Sequence, residues 1–175
     1  MNGNLLARIA KLAALFCFLL PWVTVSCSGN EIASATGVQL MTGDVQPNPA
    51  LADMARASGD TAEPNADPNA FVIAAFAVIA LGLLMSAFLR GRAAAGALLA
   101  SSLLAMGLSY YSIQTVRDAM TDRASRAQDA ANDFARAVAG AVRVEEQEGL
   151  WATLFALALA SVFALVGLTA RDAPR

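Results

Sequence analysis

The sequence predicts an all-α membrane protein: four transmembrane helices, a small β-hairpin in the first outer loop, and a third helix extended on the outer side. Three observations predict it. Apolar stretches cover residues 5–25, 69–89, 93–112 and 150–169, and a spanning helix needs about 20 such residues. Only 15% of the residues are charged, against about 25% in a soluble domain. Those charges avoid the stretches: the last three carry none, and the first carries only Arg8 and Lys11 near its start. The mean hydropathy of +0.53 fits this class. Residues 1–175 read as a single integral membrane domain, with outer loops at 26–68 and 113–149.

Charge decides the orientation. Arg8 and Lys11 open the first stretch, Arg90-Gly91-Arg92 joins the second to the third, and Arg171 and Arg175 follow the fourth. Basic residues in short loops mark the cytoplasmic side, so both termini and the Arg-Gly-Arg turn are expected inside. The first outer loop agrees: Arg56 stands against Glu31, Asp44, Asp53, Asp60, Glu63 and Asp67. The segment 113–149 carries arginines as well, outnumbered by its acids. Trp22, Tyr110, Tyr111 and Trp151 all fall near outer helix ends, at the headgroup level that amphipathic aromatics prefer.

The first stretch begins with a basic head and leads to Val25-Ser26-Cys27. That pattern also describes a signal peptide and, loosely, a lipoprotein cleavage site at Cys27. An uncleaved first helix is the favoured expectation, since Thr24 fits the cleavage pattern poorly. Ten residues of helix would separate Cys17 and Cys27 by about 15 Å, and a disulfide needs Cα atoms within about 7 Å, so no bridge between them is expected.

After Trp22, Val23, Val25 and Cys27 alternate with Thr24 and Ser26, which is strand periodicity. Ser28-Gly29-Asn30 has turn composition, and a second run follows at 31–36. A hairpin resting on the outer helix ends is expected, with turns at Gly37 and Gly43 where a positive φ is needed. Residues 43–69 hold four prolines and excess acid, the composition of a flexible loop, with one helical turn near 50–57. Asp60, Glu63, Asn65 and Asp67 match no calcium-loop spacing and read as a solvated linker. Asp67 and Pro68 are expected to cap and open the second membrane helix. Beyond the third stretch, Ile113, Val116, Met120, Ala124, Ala127, Ala131, Phe134 and Val138 recur in steps of three and four, one face of a helix. That face either covers the hairpin or docks a partner.

Membrane helices associate through small residues and a few hydrogen bonds. Ala97, Ser101 and Ala105 on the third helix, and Ala152, Ala156, Ala160 and Ala164 on the fourth, repeat every four residues. These stripes are expected to bring the two helices together. The alternative is that an alanine-rich chain produces such runs without an interface.

The segment LPWVTVSCSGNEIASATGVQLMTG resembles a pattern of uncharacterised bacterial four-span inner-membrane proteins. The matching positions are Leu20, Pro21, Trp22, Val23 through Cys27, Thr36, Gly37, Gln39, Leu40, Thr42 and Gly43. The resemblance implies the bacterial inner (plasma) membrane and carries no activity. A second likeness, to claudin-type tetraspans, is architectural only, because the paired loop cysteines of claudins are absent. Fold likeness does not transfer function.

The function expected from these features is a structural or accessory tetraspan that binds another membrane or envelope protein through its outer segments. An oligomeric channel or transporter is the first alternative and a membrane-surface enzyme the second. The absence of histidine and the two cysteines disfavour a zinc site and leave no catalytic base of the commonest type. No cofactor, metal or catalytic residue is expected. Expected partners are membrane lipids and either a protein or further copies of the chain; a net charge of −2 gives no basic face for nucleic acid.

Overall fold

The computed structural model describes residues 3–27, 30–44, 46–47, 67–130 and 142–169. Helix α1 spans Gly3–Phe16 and runs into a 3-10 turn at Cys17–Leu19. Strands β1 (Pro21–Cys27) and β2 (Asn30–Thr36) follow, then the short helix α2 (Gly37–Thr42) and the two-residue strand β3 (Gln46–Pro47). Helices α3 (Ala70–Phe88) and α4 (Gly91–Ala130), strand β4 (Val142–Glu146) and helix α5 (Glu148–Thr169) complete the chain.

Three helices are long and apolar enough to cross a membrane: α3, α4 over Gly91–Asp118, and α5. The first apolar stretch behaves differently from the expectation that it is helical over 5–25. Its helix stops at Leu19, and residues 21–25 belong to β1. The cause is local. Leu20 precedes Pro21, whose ring disfavours a helical residue before it, and Leu20 is extended at φ −84, ψ 157. Val23, Thr24 and Val25 are β-branched and favour a strand.

The expected hairpin is present, with β1 and β2 antiparallel. It does not stand alone: β4 pairs antiparallel with the other edge of β1, giving the order β3-β2-β1-β4. Two strands are marginal in isolation, and β4 supplies the third full strand from more than a hundred residues away. Its arrival depends on α4. At 1.5 Å per residue, the 40 residues of α4 make a rod of about 60 Å, roughly twice the hydrocarbon thickness of about 30 Å. The extended third helix is therefore as expected. Ile113 on it is buried in the same core as Trp22 and Leu150, and Arg117 pairs with Glu146 of β4 at 3.5 Å. The expected helical turn near 50–57 and the later part of the amphipathic face lie outside the described residues.

The start of α3 also departs from expectation. Asn69, not Asp67, is the N-cap: its Oδ1 accepts from the backbone N–H groups of Phe71 and Val72. Asn69 N–H donates to Leu40 O at 2.9 Å, which fixes the helix start against α2. Between α3 and α4 the chain reverses through Leu89 and Arg90, with Gly91 at φ +59.

The ends of the bundle are now distinguishable. At one, the start of α1, the Arg90-Gly91-Arg92 turn and the end of α5 meet. Asn4 Nδ2 donates to Gly91 O at 3.2 Å, and a Cβ on Gly3 would stand 2.8 Å from Phe163 O. This is the basic end. The other is the sheet end.

Candidate functional site

Two constellations are candidates: the junction at the sheet end, and a polar seam within the bundle.

The junction is built from the described residues of the motif segment, 20–27 and 30–43. Trp22 is the residue skipped in the register between Pro21↔Thr36 and Val23↔Ala35. Such a bulge re-aims a side chain, and the indole turns into the core, fully buried. It packs against Phe18 at a tilt, with ring centroids 4.5 Å apart, and its Nε1 donates to Cys17 O at 3.1 Å. Trp22 is thus a core residue and not the headgroup anchor expected of it. Tyr110, Tyr111 and Trp151 remain more than half exposed, as membrane-interface aromatics are.

The Thr-Gly-x-Gln-Leu-x-Thr-Gly run builds α2. Thr36 Oγ1 accepts from Gln39 N–H at 3.1 Å, and Gln39 Oε1 accepts from Thr36 N–H at 2.8 Å. This reciprocal capping box satisfies donors that a helix start leaves open. Gly43 closes the helix at φ 80 and donates to Gln39 O. Gly37 takes no positive φ, contrary to expectation. Its missing side chain instead lets α2 approach the aromatic pair: a Cβ there would stand 2.9 Å from both Phe18 and Trp22. Pro21 meets the start of α5, where a Cβ on Gly149 would collide with Pro21 O and come within 2.8 Å of Leu20. Cys27 ends β1 opposite Asn30, and its side chain lies outside the described residues. Cys17 is a free thiol.

The seam is formed by α1. Three of its side chains reach other helices: Asn4 to Gly91 O, Arg8 to Ser86 on α3, and Lys11 to Ser101 on α4. Arg8 Nε donates to Ser86 Oγ at 3.1 Å, and its Nη2 to the Ser86 carbonyl. Lys11 has 0% of its surface exposed. Its ammonium donates to Ser101 Oγ, whose own hydroxyl donates to Ala97 O at 2.5 Å. No carboxylate among the described residues pairs with Lys11. The hydroxyls of Thr153 and Ser161 on α5 differ, since each returns its proton to its own helix backbone.

The small-residue stripes meet only in part. Ala156, Ala160 and Ala164 of α5 are buried and Ala152 is half-buried. Ala105 shares a core cluster with Ala156, and Ala164 one with Ala7 and Leu98. Ala97 and Ser101 line a groove against α3 instead. Each four-residue step overshoots a helical turn by about 40°, so the stripe rotates away from α5 toward the basic end. Ala94, Ala95 and Ser102, which fall between its steps, are buried there.

These features define a helical membrane protein with an ordered sheet at one end of its bundle. No group of His, Cys, Asp and Glu among the described residues could hold a metal ion. No family model and no curated protein matches the chain.

Proposed function

We propose that the chain is a four-span structural or accessory protein that binds another membrane or envelope protein through its outer segments. One observation carries this reading. The helix α4 runs about twice the length a bilayer requires and is tied by Ile113 and Arg117 to the sheet. That much built structure beyond the spans is a surface held for contact.

On this reading α1 is the fourth span. Its Leu5, Ile9, Leu12 and Phe16, with Leu19 of the 3-10 turn, are exposed, an apolar face suited to lipid, while its cations point into the bundle. The basic end would lie in the cytoplasm, following the positive-inside rule, with both termini inside. The resemblance carried by Pro21, Trp22, Cys27, Gly37, Gln39 and Gly43 supports a bacterial inner membrane. The chain is then not an enzyme, and no cofactor enters its action.

Native mass spectrometry of the chain extracted in mild detergent tests the reading. A stoichiometric second protein that is lost when the outer end of α4 is truncated at Asp122 supports it. A lone oligomer overturns it in favour of the second reading, an oligomeric channel or transporter. That second reading has the burial of Lys11 in its favour, because intramembrane cations commonly mark ion paths. Conductance across planar bilayers separates the two. For the topology, in a chain with Cys17 and Cys27 replaced by serine, a thiol probe that cannot cross membranes should label a cysteine placed at Asp118 in intact cells and spare one placed at Arg90. The reverse pattern overturns the orientation.

A further inference from the structure

The groove between α3 and α4 holds about 260 Å³ and is lined by Val78, Leu81, Gly82, Met85 from one helix and Ala97, Ala100, Ser101, Leu104 from the other. Its centre is made of small residues, Gly82, Ala97, Ala100 and Ser101, with larger side chains at the rim. Small residues at the centre of a membrane groove let another helix approach closely.

Behind this centre lies Lys11. A Cβ on Gly82 would stand 2.6 Å from Lys11 Nζ and would collide with Ser101 Oγ. The missing side chain of Gly82 lets α3 close directly over the ammonium and Ser101, so that only the glycine backbone stands between Lys11 and the groove. Lys11 has three hydrogens to donate, and Ser101 takes one. Among the described residues this buried cation has no carboxylate, and intramembrane charges are normally paired with one another or with backbone carbonyls. The site is thus complementary to an anion arriving through the groove.

We propose that the α3–α4 groove receives a transmembrane helix of a partner protein, and that a Glu or Asp on that helix pairs with Lys11 beside Gly82 and Ser101. This deepens the accessory reading and rests on it. The flexible four-carbon stem of lysine lets the ammonium move past Gly82 into the groove.

Depth and sequence select this occupant. Gly82 lies seven residues before Leu89, the C-cap of α3, which puts Lys11 about 10 Å below the helix end. Lipid phosphates lie at the bilayer surface, outside the hydrocarbon that α3 spans. A side-chain carboxylate can be presented at any depth by a helix. A second copy of this chain cannot supply it, because no Asp or Glu occurs within residues 3–27, 70–117 or 149–169.

The test uses the full chain in phosphatidylcholine vesicles with a synthetic Leu-Ala transmembrane peptide. The peptide carries one Glu about 10 Å from the end that would lie at the basic end, or Gln in its place. Association is read by energy transfer. The Glu peptide should bind at least about tenfold more tightly than the Gln peptide. Lys11→Met should abolish that preference. Ala100→Phe, at an exposed position among the small residues of the groove, should block both peptides while leaving the unfolding temperature unchanged; Leu104→Trp provides a second filling variant. Equal binding of the two peptides overturns the proposal. So does binding unaffected by the filling variants, or loss of the preference when phosphatidylglycerol is added, which would make an anionic lipid the occupant. The peptide has nothing outside the membrane, so its failure leaves the outer-surface reading standing, which co-purification tests separately.

Discussion

Helices α1 and α5 lie side by side, yet they hold their places in different ways. Helix α5 runs uninterrupted for 22 residues. It buries small residues at Ala156, Ala160 and Ala164, and its hydroxyls bond to its own backbone. Helix α1 has 14 residues and hands the chain to a 3-10 turn and then to the sheet. Its polar side chains bond to α3 and α4. A helix that satisfies its own polar groups is positioned by shape alone. One that relies on neighbours for its polar contacts is positioned by them as well, and misplacing it leaves buried donors unpaired. The difference teaches that α5 is a packing element and α1 a specifying one.

Substitutions can break that contrast, and the largest effect is expected where α1 gives way to the sheet. Trp22→Ala removes the ring packed against Phe18 and the indole bond to Cys17 O, and should cost about 3–5 kcal/mol. Trp151→Ala at the exposed start of α5 should change stability by less than about 0.5 kcal/mol. Reversible unfolding of the two variants in detergent measures the pair, and equal losses would refute a core role for Trp22. The next effect belongs to α5. Ala156→Leu and Ala160→Leu should each cost about 1–3 kcal/mol by overpacking, and unchanged thermal stability would dismiss the buried stripe as an interface.

The contact between α5 and the start of β1 is sharper still. Gly149→Ala drives a Cβ against Leu20 and Pro21 O and should cost about 1–3 kcal/mol. Gly96→Ala on α4, where a Cβ meets nothing within 4 Å, should instead stabilise its helix by about 0.5–1 kcal/mol. Opposite shifts in melting temperature are the expected result. A smaller effect follows from the capping box: Thr36→Ala should cost about 1 kcal/mol, read from the same unfolding curves. Smallest is Arg117→Ala. The pair with Glu146 is half-exposed on the arginine side, and such pairs contribute under about 1 kcal/mol. A loss several times larger would mean that Arg117 does more for β4 than a half-exposed pair supplies.

Much of the fold was legible because its signals are local. The charge-free runs at 69–89, 93–112 and 150–169 mark three spans. The alternation from Val23 to Cys27 marks a strand, and the steps through Ile113 and Val116 mark the continuing helix. The turn expected at Gly37 passes over Thr36 and Gln39, a Thr followed three residues later by Gln, which is the pattern of a helix start. That signal was present and could have found α2. Leu20-Pro21 likewise announced the end of α1, but the apolar run across it suggested continuity.

Sequence alone determined which segments are apolar enough for a membrane, that a strand runs from Val23 to Cys27, and how the long third helix continues. These depend on residues within one or two turns of each other. Tertiary structure decided that Trp22 is core, that β4 joins β1, that Asn69 caps α3, and that Lys11 is buried beside Gly82 and Ser101. Each of these depends on which faces meet across distances of tens to a hundred residues. Hydropathy scores a lysine near a helix start the same whether it reaches toward the headgroups or into the bundle. Only the packing of α1 against its neighbours settles which.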